Sequence, residues 1–555
     1  APAALFEIFR TTDDLGQAYA SFAQLFHLAA RAAAGDEVPP WAGPSTASPG
    51  PKWQFPYEPV RVLLGGSWKA KQLWDKLDRR SARPEYADAP CGGGRLAGRR
   101  AVIVGAGPSG LRAAIELRLL GARVTVVEKR KEFSRINQLH LWNWCGDEIK
   151  ALGARCLEPP SKDFGANPDL LHIGIAELQT LLFKTALLLG VEVLLGAEFV
   201  RVEQEDATGA WCVHLGYAAA GPTGARAHVP DAEGEKEQET QHCGLDCEGP
   251  SPGPPSILRS VAVLVGTDGL GCRVGKALNM GALEMGSLRA EDAIGLVCNF
   301  APLPSGAQER RLRSFALARQ FYGQCFKELE AASGAELENV VYTKSKLSHY
   351  FVMTPTRKCL LSSGVIRDAS YKPMLGDNNV DAAALDSFVR RVVSFKFKAD
   401  APTLQEAAAE GSNDAEGNAG LRYADRGPQL FDFSKLRRAA EGISFLEADS
   451  DLAKGRAGAP HPPLLVALAG DALLEPFWPE GLGIVRGFMS ALDVSSAVAL
   501  WAGGASQEEA RRHFATAFTQ LKSLGAQTRG SVLRPEEQAY GLAPSSRYRG
   551  VSGAA

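Results

Sequence analysis

Apolar residues recur at helical spacing from Leu5, Phe6, Ile8 and Phe9 through the alanine-rich run Ala18–Ala34, so the chain is expected to open on helices. The Pro/Gly/Ser stretch Pro39–Pro51 breaks that pattern. Ser67–Asp78 restores it, with an apolar stripe on one face and Lys69 and Lys71 on the other, as in a helix docked on one side. After the linker Cys91–Gly94 the pattern changes character. The continuous apolar run Ala101–Val104 predicts a buried strand, Leu111–Leu120 a helix and Arg123–Val127 a second strand. A Leu-rich helix beginning near Glu177 leads into the strand Val191–Leu195. The runs Val261–Val265 and Leu464–Leu468 predict two more buried strands, and Ile484–Trp501 a long helix. Two stretches lack any period: 217–256, rich in Gly, Pro, Glu and Gln, and 401–420, rich in Ala, Glu, Gly and Asn. Both are expected to be insertions at loop tips, with β patterning resuming after each.

The chain has 555 residues, 45% hydrophobic and 22% charged, which excludes wholesale disorder and a fibrous repeat. Its 61 Lys and Arg against 63 Asp and Glu leave a net charge of −2, so no nucleic-acid partner is expected. No uninterrupted apolar run reaches the roughly 18 residues of a membrane span, and none is expected. Ten cysteines are too sparse for a disulfide scaffold, which makes a reducing, cytoplasmic compartment the expectation. Cys145, Cys156, Cys298 and Cys359 sit in apolar surroundings and read as small core residues. His242, Cys243 and Cys247 fall short of the four ligands of a structural metal site, so no metal is expected.

The chemistry is concentrated at glycines. Gly105-Ala106-Gly107-Pro108-Ser109-Gly110 follows an apolar strand and opens a helix, and the second strand ends at Glu128, 18 residues past Gly110. Gly105 permits a tight turn, Gly107 a close approach of pyrophosphate to the backbone, and Gly110 close packing of helix on strand. Helix N-terminal amides then face the phosphates, and Glu128 can accept hydrogen bonds from a ribose. Arg130, Arg135 and Asn137 follow; they read either as a cradle for adenine and phosphate or as a solvated basic turn. Val265-Gly266-Thr267-Asp268-Gly269 ends a second buried strand, and Gly470-Asp471 ends a third. An Asp at a strand's C-terminal edge, followed by the Gly-rich start of a long helix, suits a flavin's ribityl hydroxyls and its N1–C2=O edge. Phe477 and Trp478 just beyond are candidates for an aromatic wall at the reacting centre, with core packing at a strand–helix junction as the equal alternative.

The ordered triple of G-x-G-x-x-G, Asp-Gly and Gly-Asp resembles the FAD-dependent aromatic-hydroxylase-like monooxygenases. Phe133–Trp142, Leu187–Glu192, His349–Thr354 and Glu475–Pro479 narrow the likeness to the flavoprotein domain of the MICAL family, as do Ser67–Lys71 and Phe431–Phe433. The resemblance implies an α/β fold: an FAD-binding, Rossmann-like domain of aromatic-hydroxylase type, interleaved with a smaller mixed β-sheet substrate domain and preceded by N-terminal helices. The expected layout is a helical segment over 1–90, FAD-binding parts over 91–270 and 461–530, a substrate part over 271–460 and a tail over 531–555. It further implies FAD contacts at Ser109, Glu128, Arg130, Arg135, Asn137, Phe199, Tyr350 and Asp471. NADPH would be the reductant and O2 the co-substrate. Methionine side chains of actin filaments would be oxidised to sulfoxide, with filament disassembly, H2O2 release and a cytoskeletal location. The alternatives are a hydroxylase of a small aromatic substrate and a non-enzymatic binding protein like the Rab GDP-dissociation inhibitors. Nicotinamide preference stays open, because no second G-x-G-x-x-G exists.

Overall fold

The computed structural model describes residues 2–34, 53–87, 94–155, 170–205, 208–217, 256–285, 293–410, 421–433, 436–448, 462–476, 483–524 and 547–548. At its centre stands a six-stranded sheet. In spatial order its strands are Ile443–Leu446, Leu464–Leu468, Val261–Gly266, Arg100–Val104, Arg123–Glu128 and Glu192–Leu195. All pairs are parallel except the edge strand Ile443–Leu446, which runs antiparallel to Leu464–Leu468. The central strands are apolar at nearly every position because both faces of a parallel sheet are covered. The dinucleotide helix Pro108–Leu119 packs on the long helix Gly483–Ala502 and on the helix Ile175–Leu189. Gly483–Ala502 is long and apolar enough to cross a membrane by composition, but here it is a core helix with Ile484 to Ala499 almost continuously buried.

The N-terminal helices Pro2–Thr11, Leu15–Ala34, Tyr57–Leu64 and Trp68–Ser81 share the core of that sheet. Phe6 packs on Trp74 at 5.6 Å between ring centroids, and Tyr57 stacks on the same indole at 5.8 Å. The smaller part is a five-stranded antiparallel sheet, in the order Phe315–Ala318, Leu337–Lys344, His349–Pro355, Ile294–Phe300, Gln429–Asp432, with a core of its own. Of the stretch 401–420 only 401–410 lie among the described residues, and these depart from the expected loop tip. Leu404–Glu410 is a helix that buries Leu404, Ala407 and Ala408. Thr403 and Glu406 close a reciprocal cap, Glu406 N–H donating to Thr403 Oγ1 at 3.0 Å and Thr403 N–H to the Glu406 carboxylate at 2.8 Å. Small apolar residues at positions i, i+3 and i+4 suffice to dock so short a helix, and alanine content disguised them. Of the other stretch, residues 218–255 lie outside the described residues, as do Pro39–Pro51, Cys156, His242, Cys243 and Cys247. The strands flanking it, Trp211–Tyr217 and Ile257–Leu258, pair with each other.

A buried ionic hub ties the parts together. Glu148 receives Arg80 at 2.5 and 3.0 Å and Arg112 at 2.8 and 3.1 Å. Arg112 also pairs with Glu116 at 2.7 Å, and Tyr86 and Tyr548 each donate to Glu116 at 2.9 Å. Two guanidiniums and two carboxylates neutralise one another, which is what lets four charges stay out of water. Tyr548 brings the far end of the chain into this hub, and Arg547 pairs with Asp493 of the long helix at 2.8 Å, both side chains almost wholly buried.

Candidate functional site

The strand Arg100–Val104 ends in the glycine loop, and the loop's three glycines are constrained differently. Gly105 has φ +105°, and a Cβ there would lie 2.7 Å from the Thr267 carbonyl oxygen. A Cβ on Gly110 would overlap the Gly105 carbonyl and the Thr267 hydroxyl. These two are required by the protein's own packing, and Thr267 is the clamp: its hydroxyl donates to Val104 and Gly105 carbonyls at 2.8 and 2.9 Å. Gly107 is different. Its φ of −64° suits any residue, and a Cβ would meet nothing within 4 Å. The middle glycine therefore faces open space at a helix N-terminus that no side chain caps, with Pro108 in the first turn. Orphan amides beside an open approach fit a pyrophosphate.

Glu128 is buried where the next strand ends. Its carboxylate accepts the Ala106 amide at 2.8 Å and both the amide and the Nε of Arg130, at 3.0 and 3.1 Å. It thus holds the glycine loop and Arg130 together, with lone pairs remaining for a ribose hydroxyl. Gln179 supports the same loop from behind, donating to the Ala106 carbonyl at 3.1 Å. Ser109 reaches the third strand: a Cβ on Gly470 would lie 2.7 Å from its hydroxyl, and one on Gly487 would overlap it. Only glycines at both positions let the dinucleotide helix approach the Gly470-Asp471 turn so closely. That turn is pinned by Ser490, whose hydroxyl accepts the Gly470 amide at 2.9 Å.

Asp471 is reached by solvent yet crowded by protein. The crowding pushes its pKa up to about 6, against the opposing pull of Arg135 and with a further push from Glu475. Arg135, far away in sequence, is thus brought within electrostatic range of Asp471. Asp268 is held by its own turn, accepting the Arg273 amide at 2.7 Å, while burial raises its pKa. Open space at Gly107, an uncapped helix start, the Glu128 carboxylate and Asp471 together fit FAD.

Asn137 stands at the boundary of the two sheets. Its side-chain oxygen accepts Asn299 Nδ2 at 3.0 Å; the same amide donates to Asp425 at 2.9 Å, and Ser348 donates to Asn299 Oδ1 at 3.1 Å. Tyr350 is buried and sits directly opposite Asn299 in the antiparallel register, so it belongs to this seam. Asn299, Asp425 and Ser348 carry no motif and were missed from sequence; only the pairing of strands exposes them. Phe199 is placed in the core, beside a bulge between Phe199 and Arg201. Phe477 and Trp478 lie outside the described residues. Cys145, Cys298 and Cys359 are buried as expected, and burial raises all three thiol pKa values. Among the described residues no group of three His, Cys, Asp or Glu is placed to hold a metal.

This fold and its glycine loop are those of an FAD-binding flavoprotein. A family model described as an FAD binding domain matches residues 99–143, covering the glycine loop and Glu128. A second, described as the Mical Rossman domain, matches residues 292–416. Despite that label, these residues build most of the antiparallel sheet, outside the parallel one. The chain is 34% identical over 500 residues to the [F-actin]-monooxygenase MICAL1 of Mus musculus, covering 89% of this chain and 40% of that protein. The Homo sapiens protein of that name is 34% identical over 489 residues, covering 87% and 38%. The protein-methionine sulfoxide oxidase mical3b of Danio rerio is 32% identical over 509 residues, covering 91% and 26%. Among solved structures, the OxyS anhydrotetracycline hydroxylase from Streptomyces rimosus overlaps with a TM-score of 0.42 at 18% identity, covering 82% of this chain and 71% of that one, too loosely to bear on function. The chain belongs to the MICAL family. It spans about 40% of the length of the first curated relatives it matches.

Proposed function

We propose that the chain is an FAD-dependent monooxygenase that consumes NADPH and O2 and oxidises methionine side chains of actin filaments. The observation that carries this reading is 34% identity, along nearly the whole chain, to a protein named for F-actin monooxygenation. In balanced form, NADPH, a proton, O2 and a methionine thioether yield NADP⁺, water and the sulfoxide; without thioether, NADPH, a proton and O2 yield NADP⁺ and H2O2. Bound FAD would supply the two-electron carrier between nicotinamide and oxygen. The chain's part is to hold and to shield. Gly107 and the first amides of the dinucleotide helix receive the pyrophosphate, Glu128 the ribose, and Asp471 the ribityl chain. Asn137 and Tyr350 close the seam between the sheets. Sulfoxidation alters a flexible apolar residue in packed contacts, which is how it would loosen a filament. A protein acting on filaments would reside in the cytoplasm, on the cytoskeleton.

The test is NADPH oxidation by the FAD-loaded protein with and without actin filaments, followed by mass analysis of the actin. Stimulation with methionine sulfoxide formation is expected, since ordering a thioether at the reacting centre supplies proximity. A yellow, NADPH-oxidising preparation indifferent to filaments would remove actin from the reading. Stimulation by a phenol instead would turn it to small-molecule hydroxylation.

A further inference from the structure

Asn137 and Asn299 come from different parts of the fold, and backbone bonds hold each in place. The Asn137 carbonyl accepts the amide of Ile175, the first residue of the helix Ile175–Leu189, at 3.0 Å. Asn299 lies in the strand Ile294–Phe300 and is 1% exposed. Its carbonyl accepts the Ala424 amide at 2.9 Å and its neighbour Phe300 bridges to Tyr423, which sets Asp425 beside the Asn299 side chain. The wholly buried Ser348 meets the other branch of that side chain. A carboxylate only accepts, so the branch of Asn299 that faces Asp425 is Nδ2. One Nδ2 hydrogen goes to Asp425 at 2.9 Å, the other to Asn137 Oδ1 at 3.0 Å, and Asn299 Oδ1 takes the Ser348 hydroxyl at 3.1 Å. Because Asn299 Nδ2 only donates, the Asn137 atom that meets it is oxygen, and the Nδ2 hydrogens of Asn137 are left over. Among the described residues nothing accepts from them, and Asn137 is only half-buried. Turning both amides over would set Asn299 Oδ1 against the Asp425 carboxylate, acceptor against acceptor, so one charge fixes the polarity of the whole row.

We propose that Asp425 and Asn299 are positioning residues that turn the Asn137 carboxamide so that it offers N–H donors to an acceptor atom of FAD. This rests on Asn137 as an FAD contact and adds what sets the polarity of that contact. FAD is rich in acceptors, in its ring carbonyls, ring nitrogens and phosphates. The row also crosses from the antiparallel sheet to the FAD-binding part, so the small sheet takes part in cofactor binding through a residue that does not touch the cofactor.

The test is Asp425→Asn, which reverses the row without removing a bond from it. Asp425 Oδ1 accepts the Gly427 amide at 3.3 Å, which keeps the oxygen of the substituted amide on that side and turns its NH2 toward Asn299. Asn299 must then present Oδ1, its Nδ2 donates to the Ser348 hydroxyl instead, and Asn137 turns its own Nδ2 to Asn299 Oδ1. The bonds are as many as before, but Asn137 now offers FAD an oxygen. The apoprotein is therefore expected to melt like wild type, while FAD affinity, read by flavin fluorescence titration, falls about two- to tenfold, the worth of one hydrogen bond. Asn137→Ala should weaken FAD to a similar degree, and in that background Asp425→Asn should add nothing, because no carboxamide is left to turn. Wild-type FAD affinity in Asp425→Asn beside a weakened Asn137→Ala would overturn the relay and leave Asn137 in the site. So would a double variant whose loss is the sum of the two single losses, or an Asp425→Asn apoprotein that melts early. Asn137→Ala that binds FAD like wild type would remove Asn137 from the FAD contacts, and the relay with it.

Discussion

The glycine loop offers a contrast between two substitutions of the same size. In Gly110→Ala the new methyl overlaps a backbone carbonyl, that of Gly105, and the Thr267 hydroxyl that clamps it. Neither can turn away: Gly105 is itself held at φ +105° with the Thr267 carbonyl in front of it, so the helix must move off the strand. Overpacking against backbone should cost about 3 kcal/mol or more, a large share of a typical total of about 5–15 kcal/mol. In Gly107→Ala the methyl enters open space at φ −64°. A weaker N-cap, about 0.5–1 kcal/mol, is offset by about 0.4–1 kcal/mol from a less flexible unfolded chain. The apoprotein should therefore melt within about 1 kcal/mol of wild type. The same methyl stands where a pyrophosphate must approach, and FAD affinity should fall at least about tenfold, about 1.4 kcal/mol. Denaturant unfolding of the apoprotein and flavin fluorescence titration separate the two effects. Gly107→Ala binding FAD like wild type, or unfolding as readily as Gly110→Ala, would refute the assignment of the middle glycine to the ligand.

Other expectations concern charge. Glu148→Gln leaves two buried guanidiniums with one carboxylate, Glu116, between them, and should cost about 3–5 kcal/mol in denaturant unfolding. Burial alone would raise the Glu148 pKa, but Arg80 and Arg112 hold it at about 2, below the ordinary 4.5. That contribution is therefore present above about pH 4.5 and is lost as the pH falls toward 2, and the variant should lack this part of the acid transition. Arg547→Ala leaves Asp493 buried opposite a lost partner and should lower stability by about 3 kcal/mol by thermal or chemical melting. Asp471→Ala and Glu128→Ala should each weaken FAD retention in a flavin-release assay, Glu128→Ala by about 1.5–3 kcal/mol for bonds to a charged acceptor. Asp471→Ala that melts early while retaining FAD would make the residue structural.

How much of this was legible depended on how local the physics is. The glycine spacing, the strands Arg100–Val104 and Leu464–Leu468 and the helix Gly483–Ala502 could be read because turn sterics and burial on both faces act within a few residues. The likeness carried by Phe133–Trp142 and His349–Thr354 pointed to Asn137 and Tyr350, but not to the Asn299 and Asp425 that join them. Those residues lie 162 and 126 positions from the groups they bond, with no pattern of their own. The expected tail over 531–555 holds Tyr548, which bonds to Glu116 across 432 residues.

By itself the sequence determined the periodic elements, the order of the three glycine-bearing turns, the acids that end two strands, and the family. These are consequences of backbone geometry and of apolar periodicity, which nearest neighbours impose. Only the tertiary structure decided which charges go inside. Arg80 and Arg79 are adjacent and chemically identical, and one is buried against Glu148 while the other faces water. A buried charge is tolerable only where an opposite one awaits it, and for Arg80 that partner stands 68 residues away, delivered by the packing of one helix on another.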